Sequence, residues 1–185
     1  MKFKNMLIEF NKLPPTLVIS PITCFSKKRL FEEIAECAGF ILDLSTEDVI
    51  SALNSREKLG STVCGKSVAI PHTIINNAPK DFKTFGILCL LTDAVSFNTV
   101  DTDAQTIDIA YAVFISPDDD YDITQTLLYE MSNILNNDTL TNSLRLSHHD
   151  NDKITAILNK VDNLLQVAIN KEDHDDGYIE SDMEL

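Results

Sequence analysis

Tryptophan is absent from the 185 residues, and glycine, proline and cysteine are sparse at five, six and four. So little glycine and proline excludes a collagen-like or low-complexity chain. The cysteines, Cys24, Cys37, Cys64 and Cys89, include no C-x-x-C pair, which argues against a metal cage or a redox motif and leaves reduced thiols as the expectation. No apolar run approaches the roughly 18 residues of a membrane span, so no membrane insertion is expected. Residues 1–12 mix Lys2, Lys4 and Lys12 with scattered apolar side chains. They lack the continuous apolar core and small-residue cleavage site of a secretory signal, and a cytoplasmic location follows as the expectation. Positive charge is also short: 15 Lys and Arg stand against 29 Asp and Glu, for a net charge of −14. Such a surface repels phosphate backbones, so nucleic acid is excluded as a partner, and a docking protein would bring a basic face of its own.

What is present is ordinary for a globular domain, with 44% apolar and 24% charged residues. A chain of this length buries roughly 70% of its unfolded surface, enough to fold without metal or disulfide. Residues 1–14 read as an N-terminal extension and residues 15–169 as one domain. Residues 170–185 read as an acidic tail, with seven carboxylates against Lys171 alone, too polar to order itself. Leu17-Val18-Ile19 reads as a first strand after Pro14-Pro15. Ser26 is placed to cap a helix through Leu30, Phe31, Ile34, Ala35 and Ala38, with Gly39 as its end. Ser45 and Asp48 form a capping-box pattern for a second helix that fades near Leu59-Gly60. Three β-like runs follow, at residues 67–70, 85–91 and 107–115, the last two apolar enough to be covered on both faces. Helical periodicity then predicts helices over about 122–135, 138–146 and 150–169. The order is β-α-α-β-β-β-α-α-α, an α/β chain in which helices cover both faces of a small sheet.

Chemistry concentrates between residues 55 and 72. Arg56-Glu57-Lys58-Leu59-Gly60-Ser61-Thr62 is a helix end and a hydroxyl-rich loop. Val68-Ala69-Ile70-Pro71-His72 is a strand with a histidine just past a proline. Pro71 cannot donate to a ladder, so the strand is expected to end there with His72 at its C-terminal edge, where α/β sheets collect ligands. Ser61 and Thr62 offer hydroxyls, Gly60 and Gly65 let backbone N–H groups converge on an anion, and Arg56 supplies a fork for phosphate oxygens. Together these suit phosphoryl transfer through the imidazole of His72.

Those two segments resemble the active-site block of the phosphotransferase-system IIA proteins of the fructose/mannitol type. Cys24-Phe25-Ser26-Lys27-Lys28-Arg29 resembles their nitrogen-regulatory branch in particular. So do Val100-Asp101 and Ile107-Asp108-Ile109-Ala110-Tyr111-Ala112-Val113-Phe114. The resemblance spans roughly residues 15–165 and implies a three-layer α/β/α fold around a small mixed sheet. It implies that His72 accepts a phosphoryl group on Nε2 from a histidine phosphocarrier protein, steadied by Arg56. On the residues themselves, Gly60, Ser61, Thr62 and Gly65 are expected to form the phosphate-binding loop, and no cofactor is expected. Regulated target proteins, bound according to phosphorylation state, are the implied further partners. The alternatives are a sugar-transport IIA component that passes phosphate to a IIB partner, and a binding adaptor that has lost phosphotransfer. Relatives carry a second histidine early in the helix after the last strand; here that place reads Thr126, or Gln125 under a shifted alignment.

Other polar clusters carry less. His148 and His149 are adjacent, so they cannot both face one ion from a helix, and both are expected in solvent; no metal site is expected. Asp118-Asp119-Asp120 lacks the glycine and distal glutamate of a calcium loop and reads as a solvated turn.

Overall fold

The structure, a computed structural model, describes residues 6–79, 81–97 and 105–175, the last five as backbone only. Val100, Asp101 and residues 176–185 of the acidic tail lie outside the described residues. Among the described residues eleven elements follow in order: β1 (Thr16–Ile22), α1 (Lys27–Leu42), α2 (Thr46–Glu57), β2 (Val63–Gly65), β3 (Val68–Ala69) and β4 (His72–Ile74) come first. The rest are β5 (Phe85–Ser96), β6 (Thr106–Ile115), α3 (Tyr121–Leu135), α4 (Asp138–Arg145) and α5 (Asn151–Asp175). The expected α/β order holds, with β2 and β4 added as two short strands.

The strands form one mixed sheet in the order β1-β5-β6-β3-β2, and β4 pairs with β6. Each long strand is apolar on both faces because each face meets helices. Ile87, Cys89 and Leu91 of β5 join α1 and α2 in one core, while Leu88 and Leu90 join α3, α4 and α5 in the other. Alternate side chains of a strand point to opposite faces, so a continuous apolar run such as β5 needs the three layers that are found. No helix among the described residues is long and apolar enough to cross a membrane.

Local capping follows the sequence closely. The Ser26 side chain accepts from Arg29 N, Ser45 Oγ accepts from Asp48 N, and Asp120 accepts from Asp122 N and Ile123 N to start α3. The Asp118-Asp119-Asp120 turn is therefore more than a solvated one. Gly39 is not the end of α1. The helix runs on to Leu42 and stops at Asp43, which takes the left-handed conformation at φ 56°. Gly39 is needed for close approach instead: a Cβ there would lie 2.8 Å from Leu44 O.

Residues 8–16 and 170–175 are more structured than the sequence suggests. Ile8 pairs antiparallel with Thr16, and the backbone N–H groups of Asn11, Lys12 and Leu13 all donate to the carboxylate of Asp162 on α5. The last helix continues to Asp175, past residue 169, because extending an existing helix adds a hydrogen bond for each residue fixed.

Candidate functional site

The site lies where the sheet, α2 and α3 meet. β3 and β4 both run parallel to β6 in one unbroken register, with Val68 opposite Ile109 and His72 opposite Val113. Ile70 and Pro71 interrupt them, yet Pro71 O still accepts from Val113 N at 2.8 Å. His72 therefore opens a resumed strand, and it is not stranded beyond the end of one. A proline lacks the donor but keeps the acceptor, so it breaks the ladder on one side without shifting the register. Sharing register with Val113 puts His72 on the face that β6 turns toward α3.

Both ring nitrogens of His72 are held. Nδ1 lies 2.8 Å from Ile70 O, and Arg56 Nε donates to Nε2 at 3.0 Å. A guanidinium only donates, so Nε2 is the acceptor and Nδ1 carries the hydrogen. The ring is thus the neutral Nδ1–H tautomer with its lone pair on Nε2, beside the Arg56 guanidinium. Burial pushes the imidazole below its ordinary 6.5; the Ile70 carbonyl opposes that, the Arg56 charge adds to it, and Glu57 opposes it.

Arg56 sits in the last turn of α2, a favoured place for a cation against the helix dipole. Its Nη1 donates to Gly60 O at 3.1 Å, which folds the 58–60 turn under the guanidinium. Its neighbour Glu57 ends the helix and has partners that the sequence reading did not assign. Glu57 Oε1 accepts from Lys27 Nζ at 2.7 Å and Oε2 from Thr62 Oγ1 at 2.7 Å. A carboxylate at a helix C-terminus opposes the dipole, and that misfit was the available signal that Glu57 has fixed partners.

His72 and Arg56 line an open cavity of about 790 Å³ with Ile74, Asn76, Asp119, Tyr121 and Gln125. It opens toward the C-terminal ends of the parallel strands β4 and β6 and the start of α3. The glycine- and hydroxyl-rich positions do not line it. Gly60 N donates to Glu57 O, Ser61 Oγ accepts from Val63 N, and the Thr62 hydroxyl is taken by Glu57. Gly65 faces a separate hollow with Lys66 and Asn136. Of the two positions weighed for a second histidine, Gln125 lines the cavity and Thr126 does not. The rim is apolar, with Leu59 84%, Tyr121 67% and Ile74 44% exposed.

The adjacent histidines lie elsewhere. His149 is exposed, but His148 is half-buried and its Nε2 is covered, because its carbonyl accepts from Ser20 Oγ and draws the turn onto β1. No group of His, Cys, Asp and Glu among the described residues is arranged to hold a metal ion.

Comparison with known proteins gives the family. The family described as "Phosphoenolpyruvate-dependent sugar phosphotransferase system, EIIA 2" matches residues 12–161. The chain is 32% identical over 136 residues to the nitrogen regulatory protein of Klebsiella oxytoca, covering 72% of this chain and 79% of that protein. The structure of the nitrogen regulatory protein IIA-Ntr from Neisseria meningitidis is similar with a TM-score of 0.66 and 26% identity, over 76% of this chain and 92% of that one. The mannitol IIA of Escherichia coli, at TM-score 0.60 and 19% identity over 76% and 94%, shares the fold. A match over most of the domain by sequence, joined to the same layered sheet, places the chain in the EIIA type 2 family of phosphotransfer components, in its nitrogen-regulatory branch.

Proposed function

We propose that this protein is a cytoplasmic phosphoryl-accepting regulator, loaded on His72 by a histidine phosphocarrier protein and read by targets that bind its two forms differently. The observation that carries this reading is the ring of His72, held neutral with the Nε2 lone pair at an open cavity beside Arg56. In the transfer, the P–N bond of the carrier's phosphohistidine breaks as the P–Nε2 bond to His72 forms. No proton need move, because Nδ1–H stays on the ring and donates to Ile70 O while the imidazole takes up positive charge. Arg56 gives up Nε2 and turns its N–H groups to the phosphoryl oxygens, as positioned donors do at sites where charge gathers. The exposed Leu59, Tyr121 and Ile74 supply an apolar rim for the carrier to cover, and the acidic surface favours a carrier with a basic face. Incubation with phosphoenolpyruvate, enzyme I and the phosphocarrier is expected to add one phosphoryl group, labile in acid and stable in base. An intact mass that never changes would sink the proposal.

Two further outcomes follow from the same geometry. Arg56→Ala is expected to slow phosphorylation by at least roughly tenfold, since loss of one positioned donor can cost about 10²–10³ in rate, with the far-ultraviolet circular dichroism unchanged. Equal rates for variant and wild type would remove Arg56 from the chemistry. The imidazole of His72 is expected to titrate below the ordinary 6.5. Phosphoryl acceptance should therefore persist to lower pH than an ordinary imidazole would allow and decline as the ring protonates. An NMR titration with a midpoint above 6.5 would contradict the assigned environment.

A further inference from the structure

Both partners of the His72 ring trace back to one carboxylate. Arg56, on Nε2, is the chain neighbour of Glu57 in the last turn of α2. Ile70, whose carbonyl holds Nδ1, donates its own N–H to Thr62 O at 2.9 Å. The Thr62 hydroxyl in turn donates to Glu57 Oε2 at 2.7 Å. Lys27 Nζ fixes the other oxygen at 2.7 Å and sits 4.7 Å from the centre of the Phe97 ring, so α1 anchors the arrangement. The Glu57 side chain is only 7% exposed and that of Lys27 22%. An ion pair so placed is a poor source of stability, since desolvation offsets its attraction, and the helix dipole opposes the carboxylate as well. What the pair does supply is direction. We propose that Glu57, held by Lys27, is a positioning residue for His72, acting through Thr62 and Ile70 on Nδ1 and through the end of α2 on Arg56.

The proposal rests on the reading of His72 as a phosphoryl acceptor, and it explains how the accepting nitrogen is selected. Neutral imidazole exchanges its hydrogen between two nitrogens, and only the Nδ1–H form presents a lone pair at Nε2. Holding the Ile70 peptide in place holds that tautomer. The charged groups around the ring are Arg56 and Glu57 from α2 and, across the cavity, Asp119 from the turn before α3. Of the first two, Glu57 favours the protonated ring and Arg56 the neutral one.

The test uses the full-length chain, with ¹⁵N NMR of the His72 ring and the rate of phosphorylation by the phosphocarrier measured on the same samples. Thr62→Val keeps the shape of the side chain and removes the donor to Glu57. It is expected to mix the Nε2–H tautomer into the neutral ring and to slow phosphorylation roughly tenfold, as small misplacements of reacting groups do. Thr62→Ser, which restores a hydroxyl, is expected to recover most of both losses. Glu57→Gln keeps the shape and removes the charge, so His72 should titrate lower than in the wild type and react more slowly. It decides the matter alone if Thr62→Val does not fold. Folded variants with the tautomer, titration and rate of the wild type would overturn the proposal. A wild type that takes no phosphoryl group at His72, with the tautomer still shifting in Thr62→Val, would instead overturn the phosphoryl reading and leave the positioning role standing.

Discussion

His72→Ala is expected to leave a folded protein that takes no phosphoryl group from the carrier. The loss should be complete because no other imidazole among the described residues is poised in the same way. His149 is exposed with no guanidinium fixed on it, and the covered Nε2 of His148 has no partner. The fold should survive because His72 is half-buried at the mouth of a cavity, and the β4 ladder is made by backbone groups that alanine retains. The substitution strips Arg56 of one acceptor, but its contact with Gly60 O remains, and the guanidinium can be solvated from the open side. The measurement is intact mass after incubation with phosphoenolpyruvate, enzyme I and carrier, alongside circular dichroism. Labelling of the variant to the wild-type extent would mean that a different side chain is the acceptor.

Asp162→Ala is expected to produce the largest loss of stability. The carboxylate is 3% exposed. Its Oδ1 accepts from the N–H groups of Lys12 and Leu13, each at 2.7 Å, and its Oδ2 from Asn11 N at 3.1 Å. Three converging donors neutralise a buried charge that would otherwise be costly. Alanine removes the acceptor and leaves those donors behind, one of them on the buried Leu13. An unsatisfied buried donor costs about 1–3 kcal/mol and a bond to a charged group contributes about 1.5–3 kcal/mol. A total near 4 kcal/mol is therefore a fair expectation, or about 10 °C in melting temperature for a chain of this size. Asp162→Asn keeps one acceptor oxygen but turns a donor toward the remaining N–H, so it should fall between the two. Differential scanning calorimetry decides the point. A variant that melts within a degree or two of the wild type would show that residues 11–13 are held by something else.

Much of the layered fold was legible along the chain. The helix α5 announces itself by Ile154, Leu158, Val161 and Leu165, all buried on one face. The start of α2 is written in Ser45 and Asp48, three residues apart and bonded as expected. β5 and β6 are long apolar runs that only a sheet covered on both sides can hide. The short strands were not legible, because Val63–Gly65 and His72–Ile74 offer three residues each, too few for any periodicity to show. Gly39 was misread as a helix end because a glycine in a tight contact and a glycine in a turn look alike in sequence. Glu57 stood in plain view beside Arg56, yet its partners come from α1 and from the loop beyond the helix.

By itself, then, the sequence determined the long helices and strands and which faces are apolar, and it set an arginine and a histidine close together in one segment. Those properties arise from capping, backbone sterics and side-chain periodicity, which act within a turn or two of chain. Tertiary structure alone decided that Arg56 Nε meets His72 Nε2, and that Ile70 O therefore takes the hydrogen on Nδ1. It likewise decided that the hydroxyl of Thr62 serves Glu57 and does not face the cavity, and that Asp162 closes on amides 149 to 151 residues away. The physical reason is that a hydrogen bond depends on tenths of an ångström and on direction. Groups far apart in sequence reach that tolerance only after the two cores have packed and fixed the elements that carry them.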